Sequence, residues 1–73
     1  MKHAMRRFIL IRNEDVSGTS GTGVVAEGVQ FSNGSVTLTW LSHLHSVTYF
    51  SCIDVLKNIH GHEGRTEVQW IDP

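Results

Sequence analysis

The sequence predicts an α+β domain: a small antiparallel sheet, open or partly closed into a barrel, in the order β-β-β-β-α-β with one short helix. Three observations predict it. Five short runs of β-branched and aromatic residues recur along the chain, most of them bounded by Gly, Ser, Asn or charge. Asn33-Gly34 lies between the second and third runs, where a hairpin turn belongs. One stretch, Cys52 to Ile59, spaces its apolar residues for a helix and meets Gly61 soon after. The single proline, Pro73, interrupts no element.

Arg7 to Arg12 is an apolar run flanked by charge, too short for a useful helix, and reads as a central strand. Residues 13–23 (NEDVSGTSGTG) carry no periodicity and predict a mobile Gly/Ser/Thr loop. Val24 to Phe31 and Ser35 to Leu41 form a hairpin, with Asn-Gly supplying the positive φ angles of a type I′ turn. In its second strand Val36, Leu38 and Trp40 alternate with Ser35, Thr37 and Thr39, giving one apolar and one hydroxyl face. In its first strand Val25, Val29 and Phe31 share a phase with Glu27, and a bulge at Gly28 is expected to turn Glu27 outward.

Ser46 to Phe50 continues the meander as a third β-type run. Ser51 opens the helix, with Asp54 three positions on as a weak capping box. Ile53, Leu56 and Ile59 or His60 fall on one side of it. Arg65 to Ile71 alternates again, Thr66, Val68 and Trp70 against Glu67, Gln69 and Ile71.

With 73 residues the chain makes one domain, residues 1–73. A chain of this size buries only about 60% of its unfolded surface, so its core is thin and a metal, tight packing or a second copy would help. One cysteine excludes an internal disulfide. Five strands leave two edges exposed unless the sheet curls into a barrel or pairs with another copy, so a homodimer through an edge strand is one of the two arrangements open to it. Six basic against seven acidic side chains, a net charge of −1, exclude a strongly basic nucleic-acid binder and an acidic DNA mimic. The basic start is followed only by Phe8 to Ile11 before Arg12, so neither a signal peptide nor a membrane span is expected, and the reading is cytoplasmic.

Four of the five histidines stand in two His-x-His pairs, His43/His45 and His60/His62. On an extended chain each pair points to one side, and with Cys52 or Glu63 the two could complete a tetrahedral zinc site. Against that, no Cys-x-x-Cys or His-x-x-x-His spacing is present, and imidazoles in turns and at helix ends ordinarily bond free carbonyls. The plain reading is preferred: no cofactor, with zinc as the alternative.

The glycine-rich loop lacks the Lys-Ser or Lys-Thr that follows a phosphate loop, and a strand rather than a helix comes next. Ser42 and His43 are neighbours and face opposite ways on a strand, and a lone Cys52 is ordinarily a small buried hydrophobe. No enzyme is expected. Tyr49, Phe50 or Trp40 on a curved sheet could stack single-stranded bases, but the charge balance gives little counterion release to drive binding.

Three stretches carry a family resemblance: D-V-S-G-x-S-G-T-G-x-V-A-E-G from Asp15, F-S-x-G-x-V-x-L-x-W-L from Phe31, and I-H-G-H-x-G from Ile59. Together they resemble a family of small proteins of bacterial and phage genomes. The resemblance implies a compact β-rich module carried by mobile elements, and no catalytic activity. Its setting and its size make an inhibitor of a host defence or regulatory complex, anti-CRISPR-like, the expected form. The expected partner is a protein or a protein–nucleic acid complex, bound and occluded without a membrane. The expected contact surface is the two loops, with Glu14, Asp15, Ser17, Thr19 and Ser20 from one and His60, His62, Glu63 and Arg65 from the other. The alternative is a zinc module on His43, His45, Cys52, His60 and His62 that also touches single-stranded nucleic acid.

Overall fold

A computed structural model gives the chain its structure and describes residues 3–13, 23–42, 45–60 and 66–72. The elements are β1 (Arg6–Arg12), β2 (Gly23–Gln30), β3 (Val36–Trp40), β4 (Val47–Phe50), α1 (Ile53–His60) and β5 (Thr66–Trp70). All five strands join one antiparallel sheet in the spatial order β4-β3-β2-β1-β5. The expected order and class are what the structure has. The sheet is open, with β4 and β5 at its edges, so the barrel alternative is set aside.

Side chains from alternate positions meet on one face of this sheet. Phe8 and Leu10 of β1, Ala26 of β2, Val36 and Leu38 of β3, and Phe50 of β4 are buried there with Leu56 of α1. Val68 and Trp70 of β5 and Trp40 of β3 pack around them. The helix lies on this face, directing Ile53, Leu56 and His60 inward while Ile59 is exposed. Of the two residues that compete for its last inward position, His60 takes it. Its ring meets Trp40 and Phe50 edge-on, at centroid distances of 5.0 and 5.7 Å.

Two local expectations are corrected. Gly28 pairs regularly with Phe8 and with Leu38, and the irregularity lies further back, where Leu10 pairs with Ala26 and Ile11 with Val24. Val25 is therefore the extra residue of a β-bulge. Glycine stands at position 28 for another reason: the Phe8 ring occupies the space of its missing side chain, and an ideal Cβ would stand 2.3 Å from Phe8 Cζ. Glu27 and Val29 consequently share the face opposite the core, and Glu27 points outward without a bulge beside it.

The hairpin turn also differs from a two-residue type I′ turn. Gly34 N–H donates to the Phe31 carbonyl (2.9 Å) and Phe31 N–H to the Ser35 carbonyl (2.8 Å), with Gly34 at φ +92°. This is the bonding pattern of a three-residue loop closed by a glycine bulge. Asn33 assists through its side chain, whose Oδ1 accepts from Ser35 N–H and Oγ.

Candidate functional site: the loop end and the open face

Antiparallel pairing decides which connections leave the sheet together. Arg12, the last residue of β1, pairs with Gly23, the first of β2, and with Thr66, the first of β5. The 14–22 and 61–65 connections therefore spring from adjacent strand ends, across about 10 Å of sheet. The connection after Trp40 leaves the same end, since Leu41 N–H donates to the Val25 carbonyl and Trp40 N–H to that of Ser46. Arg12 is the buried pivot of this end, only 8% exposed, and its Nε donates to Thr66 Oγ1. Beside it, Asn13 Nδ2 donates to Glu67 Oε1.

Of the residues expected in a contact surface, His60 is described, and it is half-buried between Trp40 and Phe50. Glu14, Asp15, Ser17, Thr19, Ser20, His62, Glu63 and Arg65 lie outside the described residues. So does His43, while His45 is exposed. The topology brings the roots of both His-x-His segments to one end, because His60 sits on Trp40 and the 41–46 connection follows Trp40. Cys52 precedes α1 and is half-buried. It stands at the opposite end of that helix from His60, about 12 Å away at 1.5 Å per residue. Among the described residues no three His, Cys, Asp or Glu side chains gather as a metal site would require. Of the aromatic residues considered for base stacking, Tyr49 is exposed, Trp40 is half-buried and Phe50 is buried.

The opposite end is locked by charge. The Arg7 guanidinium grips the Asp72 carboxylate through Nη2 to Oδ1 (2.8 Å) and Nε to Oδ2 (3.0 Å), and Arg7 N–H donates to Oδ2 as well. These hydrogen bonds, with the charge of Arg7 behind them, hold the Asp72 carboxyl down at about 2 and raise Arg7 above its ordinary value. Arg6 lies over Trp70, 4.2 Å from the ring centroid, and donates to the Asp72 carbonyl.

The second candidate surface is the face of the sheet that α1 leaves uncovered. Cross-strand register places Val29, Thr37 and Tyr49 in one row, and Ile9, Glu27, Thr39 and Val47 in the next. Tyr49 is 66% and Val47 73% exposed. A shallow hollow of about 370 Å³ lies on this face between Arg7, Glu27, Val29 and Val47. The reading that assigned contacts to loops passed over this surface. Its signal was present in β1, where Phe8 to Ile11 is apolar without alternation, the pattern of a strand with an apolar side chain on each face.

A family model described as Acb5 phage protein matches residues 5–72, nearly the whole chain. The chain belongs to this family of phage proteins. The matched span starts just before β1 and ends on Asp72, the residue that clamps Arg7, so it takes in the whole sheet. Neither a curated protein nor a solved structure matches the chain. Among the described residues no helix is long and apolar enough to cross a membrane.

Proposed function

We propose that this phage protein is a non-enzymatic interaction module that binds a macromolecular partner of the host and occludes its working surface. An inhibitor of a host defence or regulatory complex is the form that fits a phage family of this size. The observation that carries the reading is the shared origin of the two loops: β1 hands one to β2 and receives β5 from the other, all at one rigid sheet end. Residues presented from such an end act as one surface, because the strands beneath them are hydrogen-bonded neighbours. Within this reading Glu14, Asp15, Ser17, Thr19 and Ser20 contribute with His62, Glu63 and Arg65, and His60 supports them through Trp40.

The test is a set of charge reversals, Glu14→Lys with Asp15→Lys, and Glu63→Lys with Arg65→Glu, in an assay of protection of infecting phage. Loss of protection with an unchanged melting temperature is expected. Full protection by both double variants sinks the loop assignment.

Zinc binding is a second reading, favoured by the contact that draws the two His-x-His roots together. It then rests on His43, His45, His60 and His62, because Cys52 stands at the far end of α1. Chelation with EDTA should lower the melting temperature by several degrees if it holds. No change in melting temperature and no zinc by elemental analysis discards it.

A further inference from the structure

The open face of the sheet is mixed: six apolar side chains share it with Arg7, Glu27, Thr37, Thr39, Glu67 and Gln69. Ile9, Ile11 and Val29 lie half-buried on it and Val24, Val47 and Tyr49 are exposed, while no described element packs there. An antiparallel sheet can leave one face in water, but apolar side chains grouped on that face mark an interaction surface, and α1 covers only the other side.

The chemistry of the face restricts what can lie on it. An extended segment laid on a sheet face would bury its own unpaired N–H and C=O groups; it must pair at an edge instead. A helix satisfies its backbone internally and offers side chains alone. A small molecule would be poorly enclosed, because the hollow is shallow and the apolar surface runs past it to Ile9 and Tyr49.

Charge decides between a second copy and a different protein. Glu27 sits near the middle of β2, the central strand, and among the described residues no hydrogen bond or ion pair engages its carboxylate. Arg7, the basic group of this face beside it, is already neutralised by Asp72. Covering Glu27 without a cation would leave a buried unpaired carboxylate. Two copies related by a two-fold axis through Glu27, at the centre of this face, would set carboxylate against carboxylate. The occupant must therefore bring the positive charge itself.

We infer that the open sheet face, centred on Glu27, is a docking surface for a basic amphipathic helix of a partner protein. Its apolar side chains would enter the hollow between Val29 and Val47, and a Lys or Arg would meet Glu27. This goes beyond the loop-end reading and does not rest on it: variants of the loops test one surface, variants of this face the other.

The probe is an amphipathic model helix of about 14 leucine and lysine residues, titrated into the isotopically labelled full chain and followed by amide chemical shifts, with a leucine–glutamate helix as control. Saturable shifts at Ile9, Val29, Thr37, Thr39 and Tyr49 with the basic helix are expected. Glu27→Gln should weaken that binding about tenfold, and the acidic helix should not bind. Glu27 has no partner to lose, so this variant keeps its fold; Tyr49→Lys, also at an exposed site, is the second variant and should abolish the shifts. The inference is overturned by shifts confined to the loop end, by no shifts, or by equal binding of both helices. It is also overturned if sedimentation of the protein alone shows a dimer that tightens in Glu27→Gln, because the occupant is then a second copy.

Discussion

Gly28→Ala tests the packing on which the core depends. The added Cβ would stand 2.3 Å from Phe8 Cζ and 2.8 Å from Cε1 and Cε2. Ordinary carbon contacts lie near about 3.5–4.0 Å, so the ring must retreat by more than about 1 Å. It has nowhere to go: Phe8 is fully buried, and Trp70 meets it edge-on with centroids 5.4 Å apart. Overpacking of this kind costs about 1–3 kcal/mol, offset by about 0.4–1 kcal/mol because alanine restricts the unfolded chain more than glycine does. The net loss expected is about 1–2 kcal/mol, or about 5–15 °C in melting temperature for a domain of this size. Urea denaturation followed by tryptophan fluorescence reads it as a lower midpoint with an unchanged slope. Phe8→Leu introduced beside Gly28→Ala removes the clashing ring atoms. The double variant should then be more stable than the sum of the single losses predicts. An unchanged or higher midpoint for Gly28→Ala, or strict additivity in the cycle, refutes the placement of Phe8 over Gly28.

The remaining predictions concern the helix, the turn and the terminal clamp. Leu56 is the one fully buried side chain of α1, so Leu56→Ala should cost about 2–4 kcal/mol and show as loss of cooperative melting by circular dichroism. Gly34→Ala places a side chain at φ +92° and 3.0 Å from His3 Nε2, and should cost about 1–2 kcal/mol in the same urea assay. Asp72 titrates near 2 when folded and near its ordinary value of about 3.9 when unfolded, so the folded state binds fewer protons between the two. Its contribution is present above about pH 4 and disappears as pH falls through about 2; Asp72→Asn should flatten this part of a melting-temperature-against-pH curve.

How much could be read in advance follows the range of the interaction concerned. The strands, the helix and their order were legible because period and turn chemistry are local: Val36, Leu38 and Trp40 turn inward and Thr37 and Thr39 outward, as their alternation demands. The bulge was misplaced because glycine has two uses in a strand. At position 28 it accommodates a ring from the neighbouring strand, a cross-strand fact invisible along one strand, while Val25 carries the irregularity. The turn was misassigned for a smaller reason. Asn-Gly serves both a two-residue turn and a three-residue loop with a glycine bulge, and the choice depends on where Phe31 and Ser35 pair. At the candidate site, the residues proposed from the two loops were chosen by composition, but their common origin came from the register of Arg12 with Gly23 and Thr66. No local pattern contains that register.

The same register explains why a chain this small can carry two surfaces. Its fully buried apolar side chains come from β1 to β4 and α1 and all meet on one face, so a single layer of core supports the whole sheet. The opposite face is then free of structural duty, yet β1 still presents Ile9 and Ile11 there. Half-exposed aliphatic side chains add little to a monomer, and they favour aggregation unless covered. Glu27 at the centre of that face acts against self-association, since two copies centred on it oppose their carboxylates. Apolar side chains set between the Glu27 and Glu67 carboxylates disfavour a second copy and admit a basic partner. Glu67 lies toward the edge strand and accepts from Asn13, so Glu27 on the central strand, more than any aliphatic neighbour, is the position whose replacement should change what the protein binds.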